Sequence, residues 1–216
     1  MQSSLRPTWI TRLAARNHPE QIRLRATLRF SFLYLIAFIA GVLLCRHTRL
    51  GDSATLRMLA ESALRNPFSE CKLARDFVRA VLSSARLELI MAALLALSGL
   101  TYISRSLANA VLSAHAWLFG AIAHAILQII LSGTALASGA RFSFFLYFFA
   151  RLISAGILLT AAAEALIFSY AYRNAAHIMG DRLAARFALQ CLSYAGMLLI
   201  VHAAYACLLV FWGIPL

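Results

Sequence analysis

The residues of this chain that could do chemistry are few and stand among apolar neighbours: His115, His124, Arg151, Glu164 and His202. An ionisable side chain held among lipid-compatible residues is costly, so each is a functional hypothesis by default. Their spacing limits what they can do together. His115 and His124 are nine positions apart, which leaves them on opposite faces of a helix and unable to share one metal ion. Arg151 and Glu164 are 13 apart, about 20 Å along a helix axis and nearly opposite, so they do not pair with each other. Counted from the ends of the helices expected below, His115 and Glu164 lie at similar depth, and a contact between them is within reach. As a functional pair they would relay protons or cations. As a structural pair they would only relieve a buried carboxylate, with Arg151 snorkelling toward headgroups.

Small and polar residues run beside them at four-residue spacing: Ala116, Gly120, His124, Gln128 and Ser132 in one stretch, Gly156, Thr160 and Glu164 in another. Such stripes let helix backbones approach and bond across the interface, and they read first as packing seams and second as a substrate path. The chain holds no phosphate-cradling glycine loop, no H-E-x-x-H and no serine-nucleophile elbow, so it reads as a non-enzyme with neither cofactor nor metal. Cys191 and Cys207 fall in one apolar segment as small hydrophobes, while Cys45 and Cys71 fall on one side of the membrane, which leaves a disulfide between them open.

The elements that must position these residues follow from composition. Hydrophobic residues make up 62% of the 216 and charged residues 13%, with a mean hydropathy of +0.78. An average soluble domain is about half apolar and about a quarter charged. Too little polar surface is left to clothe a soluble core, so the chain needs lipid as its solvent. The expected fold is all-α, a polytopic transmembrane bundle of about five spans near residues 28–45, 87–103, 109–131, 142–172 and 189–212. The connection between the second and third spans is only about five residues, which makes them an antiparallel hairpin. The fourth is over-long and opens on the aromatic run Phe142–Phe149, suited to the membrane interface. Residues 173–187 read as a polar hairpin turning at Gly180-Asp181, and Trp212 and Pro215 close the last span.

Two regions lie outside the spans. Residues 1–29 form a basic N-terminal segment with six arginines against Glu20, read as the flank of a retained signal-anchor rather than a cleaved transit peptide. Residues 46–87 form an amphipathic helical insert: Asp52 or Ser53 caps one helix through Arg65, and Asn66-Pro67 opens another. On that second helix Leu73, Phe77 and Val81 make an apolar face, with Arg75 and Arg79 on the opposite side. The helix either docks a partner or packs on its own protein's spans. The net charge of +12 belongs to these two membrane-flanking regions, and no nucleic-acid motif accompanies it. With the insert counted as a folded segment, arginine bias places the N-terminus inside and the C-terminus outside a plasma membrane.

The order of elements resembles the stage II sporulation protein M-like membrane proteins. The resembling residues are the approach Phe77–Arg86, Ala96-Leu97-Ser98-Gly99-Leu100 in the second span, and Leu118-Phe119-Gly120 in the third. The resemblance implies a basic N-terminus, one span, an extracytoplasmic helical stretch, a hairpin of spans and two more. It also implies a non-catalytic scaffold that holds envelope proteins, in the family's namesake role cell-wall hydrolases. The expectation is therefore a membrane-anchoring subunit, a monomer or homo-oligomer in contact with lipid and envelope partners. A small permease, or the substrate-binding subunit of a larger transporter, is the alternative.

Overall fold

The computed structural model of the protein describes residues 19–48, 53–64, 74–131 and 138–211, apart from the side chains of 19–20, 62–64, 138–142, 174–181 and 211. The expectations placed on residues 1–18, Arg65, Asn66-Pro67, Cys71, Leu73, Ser132, Trp212 and Pro215, and on the Gly180-Asp181 side chains, lie outside the described residues. Every regular element among those described is a helix: α1 (Pro19–His47), α2 (Ala54–Leu64), α3 (Ala74–Gly99), α4 (Ser104–Leu131) and α5 (Ser138–Phe211). Five stretches are long and apolar enough to cross a membrane, namely Gln21–His47, Ala74–Gly99, Ser104–Leu131, Ser143–Arg173 and Arg182–Val210. At 1.5 Å per residue, spans of 26 to 31 residues cover about 39–46 Å, the thickness of a hydrocarbon core plus its headgroup layers.

Two boundaries differ from the sequence expectation, each for a local reason. The second span does not begin at Leu87; it is the continuation of the amphipathic helix, and α3 runs unbroken from Ala74. Neither proline nor glycine interrupts residues 74–98, so nothing stops the helix before Gly99, where Leu100 and Thr101 close a tight turn on the Leu97 and Ser98 carbonyls. The next helix starts at Ser104 rather than near residue 109, so the hairpin between α3 and α4 has only four connecting residues. On α2, Ser53 is the cap: its hydroxyl accepts a hydrogen bond from the Leu56 N–H at 3.3 Å.

The 74 residues of α5 do not form a straight rod. Phe168 and Phe187 stack face to face with ring centroids 4.0 Å apart, whereas nineteen residues of straight helix would separate them by about 28 Å. Leu158 shares a core cluster with Leu198, and Tyr147 shares another with Tyr205 and Leu209. The chain therefore reverses between Arg173 and Arg182, and the two spans of α5 lie antiparallel as a first and a second arm.

Helices α1 and α4 run side by side in the same direction, and small residues bring their backbones together. A Cβ placed on Gly41 would stand 2.3 Å from the Trp117 carbonyl oxygen, and one on Gly120 would stand 2.3 Å from that of Phe38. The rest of the interface is aromatic, with Phe38 tilted against Phe119 at 5.2 Å. The opposite face of α1, carrying Leu24, Leu28, Phe32, Leu35, Ile39 and Leu43, is exposed and belongs to lipid. Replacing Gly41 or Gly120 by Ala should each lower the thermal unfolding midpoint in detergent, at a cost of about 1–3 kcal/mol for overpacking. Gly196→Ala, which meets nothing within 4 Å, should leave the midpoint unchanged or raise it. Equal behaviour of all three variants would contradict the seam.

Candidate functional site

Burying a carboxylate away from water costs several kcal/mol unless a cation and hydrogen bonds meet it. At the middle of the bundle that problem centres on Glu88, which is 0% exposed. It stands eleven residues from Gly99 along α3, about 16 Å from that end of the span. His115 stands eleven residues from Ser104 along α4, at the same depth. Arg151, on the first arm of α5, forms an ion pair with the Glu88 carboxylate through Nη1 and Oε1. The guanidinium also lies over the ring of Tyr147, one turn earlier on the same arm, at 5.1 Å from its centroid.

Two imidazoles flank the carboxylate, one at each oxygen. His115 Nε2 is 3.8 Å from Glu88 Oε1, and His202 Nε2, on the second arm, is 3.7 Å from Oε2. Each ring is fixed from behind through its other nitrogen. The Tyr34 hydroxyl of α1 meets His115 Nδ1 at 2.8 Å, and the Ser84 hydroxyl, one turn before Glu88 on α3, meets His202 Nδ1 at 3.1 Å. Tyr205, one turn after His202, lies within electrostatic reach of Arg151. All five spans thus contribute a polar side chain to one buried cluster. Two apolar cores bracket it, one around Phe30, Leu112 and Leu198, the other around Phe119, Ile126 and Leu209. Such a network, once its members are satisfied, fixes the rotation of each helix relative to the others.

The residues singled out from the sequence are divided by this geometry. His115, Arg151 and His202 come together at Glu88. Glu164 does not contact His115. It forms an ion pair with Arg23 of α1, near the end where α1 begins. The reason is depth: α4 starts about five residues earlier than expected, which places His115 about 7 Å deeper, while the basic approach to the first span supplies Glu164 with its partner. His124 is half-buried with Nε2 left without a hydrogen-bond partner among the described residues, and Gln128 is exposed. Gly120 of the third-span stripe lies in the α1–α4 seam, but Gly156 of the fourth-span stripe faces open space. Thr160 there turns its hydroxyl back to the Gly156 and Ile157 carbonyls of its own helix, while Glu164 of the same stripe reaches α1 through Arg23.

Of the docking candidates, Phe77 and Val81 pack into the protein's own core beside Ala60 of α2, whereas Arg75 and Arg79 are exposed. Glu88, Ser84 and Tyr34 were not singled out by sequence reasoning. Glu88 follows Arg86 by two positions, and with a span expected to open at Leu87 it reads as a member of an interfacial charge pair. The usable signal was the uninterrupted helical stretch upstream, which moves Glu88 to the centre of a longer helix.

Among the described residues no group of three or more His, Cys, Asp or Glu side chains is arranged to hold a metal, and Cys45, Cys191 and Cys207 are free thiols. No protein-family model, curated protein or solved structure matches the chain. Removing one partner of a buried ion pair strands the other, at a cost of about 3–5 kcal/mol, whereas replacing both by apolar groups can be neutral. Glu88→Leu and Arg151→Met should therefore each lower the unfolding midpoint in detergent sharply, and the double variant should recover most of the loss. Additive losses in the double variant would show that the two side chains do not act as a pair.

Proposed function

We propose that the chain is a non-catalytic, multi-pass membrane scaffold that anchors partner proteins of the cell envelope through the region between its first and second spans. The observation that carries this reading is how the first half of α3 is mounted. One face, with Phe77 and Val81, is fastened to the bundle. The other is exposed and presents Ala74, Arg75, Val78, Arg79 and Leu82 as one mixed apolar and basic helix face. A helix that continues directly into a span holds its outer turns rigidly, so little ordering cost falls on binding. The guanidinium groups beside an apolar floor suit a partner segment that is amphipathic and acidic. Beside it, α2 exposes Met58.

The resemblance to stage II sporulation protein M-like proteins supports the same assignment through its order of elements, and it suggests cell-wall hydrolases as the partner class. Arginine bias supports a plasma-membrane location with the N-terminus inside, which turns this face outward. Because α3 is continuous, the test is substitution rather than deletion. Arg75→Glu with Arg79→Glu should reduce recovery of co-purifying envelope proteins at least tenfold while membrane insertion and unfolding midpoint stay at wild-type values. Unchanged recovery would contradict the reading.

A second reading, a small proton-coupled permease, is favoured by one observation, the buried Glu88 flanked by His115 and His202. It predicts proton entry into vesicles reconstituted with the protein under an imposed potential, lost in Glu88→Gln. Wild-type flux equal to that of empty vesicles would eliminate it.

A further inference from the structure

The two histidines at Glu88 look alike but are held differently. The Ser84 hydroxyl donates to the Val81 carbonyl at 2.9 Å, a bond within its own helix. A hydroxyl has one proton, so with that proton engaged its oxygen accepts toward His202, and the arrangement assigns the donating N–H to His202 Nδ1 across the 3.1 Å contact. A neutral His202 then has a bare lone pair on Nε2. That lone pair faces the Glu88 Oε2 lone pairs at 3.7 Å, acceptor against acceptor, and both atoms are buried without a hydrogen-bond partner among the described residues. Nothing of the kind constrains His115. The Tyr34 hydroxyl can donate to Nδ1, which leaves Nε2–H as a donor toward Glu88 Oε1 in an uncharged ring.

We infer that His202 Nε2 and Glu88 Oε2 form the proton-accepting site of the bundle, with His115 locked as the neutral opposite tautomer. A proton arriving at Nε2 occupies the lone pair and turns a repulsive pair of acceptors into an N–H···O contact to a carboxylate. Such contacts close to about 2.7–2.9 Å, so the 3.7 Å gap contracts by roughly 0.9 Å and draws the second arm of α5 toward α3. Arg151 occupies the other oxygen, Oε1, and leaves Oε2 to the imidazolium. The groups facing the site from every packed element are Tyr34 of α1, Glu88 of α3, His115 of α4, Tyr147 and Arg151 of the first arm, and Tyr205 beside His202 on the second. Glu88 is the one anion among them and Arg151 already balances it, so a proton at Nε2 leaves the cluster net positive and is taken up only in acid. The inference stands under either reading of function, because it concerns the state of the bundle and not what the bundle carries.

The test is nitrogen NMR on the full-length protein, labelled with 15N-histidine and purified in detergent, with the His202 resonances identified by their loss in His202→Gln. At pH 8 the expected pattern is a protonated Nδ1 and an unprotonated Nε2 at His202, and a protonated Nε2 at His115. On acidification through pH 4, Nε2 of His202 should become protonated while His115 stays neutral. Ser84→Ala removes the acceptor behind His202 and should move the ring to the Nε2–H tautomer at pH 8, with the unfolding midpoint confirming an intact bundle. A wild-type His202 already in the Nε2–H tautomer at pH 8 would overturn the inference. So would a Ser84→Ala variant with an unchanged spectrum, or protonation of His115 in place of His202.

Discussion

The arrangement of this protein depends on the buried charge of the Glu88 carboxylate and on the need to neutralise it inside lipid. Water is not at hand to share the cost, so the bundle has to supply a cation and donors from its own helices. Arg151 provides the charge, His115 turns Nε2 toward Oε1, and His202 Nε2 faces Oε2 as the place where a further proton is received. Tyr34 and Ser84 then orient the two rings. Lipid tails are as apolar as leucine, so apolar packing by itself gives weak preference for one helix rotation over another. A polar cluster to which all five spans contribute removes that freedom.

The packing around the cluster follows the same logic. Close backbone approach at Gly41 and Gly120 lets α1 and α4 bring Tyr34 and His115 together at the required depth. The stacked rings of Phe168 and Phe187 and the Arg23–Glu164 ion pair tie the helices near the end where α1 begins. At the other end α2 buries Ala60 against the second apolar core, and the mounted half of α3 leaves its arginines outward. The same helix therefore carries the buried charge in its middle and an exposed basic face at its start.

Much of the fold was legible because it follows from bulk physics: long apolar stretches require spans, and arginines mark their flanks. The intramembrane His115, Arg151 and His202 were also legible, since such residues are rare among apolar neighbours and draw attention by type alone. Their common partner was not. Glu88 sits two residues after Arg86, where an expected span boundary makes a charge look ordinary, and only the continuous helix from Ala74 reveals its depth. The partners of Glu164 and Arg23 are 141 positions apart, beyond any local spacing rule. Nor could periodicity tell the two faces of α1 apart, because a helix with lipid on one side and a core on the other is apolar on both. The role of Tyr34 on the inner face of α1 is defined only by His115 opposite.

The central claim is that the second arm of α5 meets α3 at the Glu88 cluster within the membrane. Cysteine crosslinking in native membranes measures it most directly, in a chain whose four cysteines have been replaced by alanine. Ser84→Cys with His202→Cys should form an intramolecular disulfide on treatment with a membrane-permeant oxidant, while Ser84→Cys with Gln128→Cys should not. Absence of the first disulfide with normal expression, or equal yields from both pairs, would contradict the account.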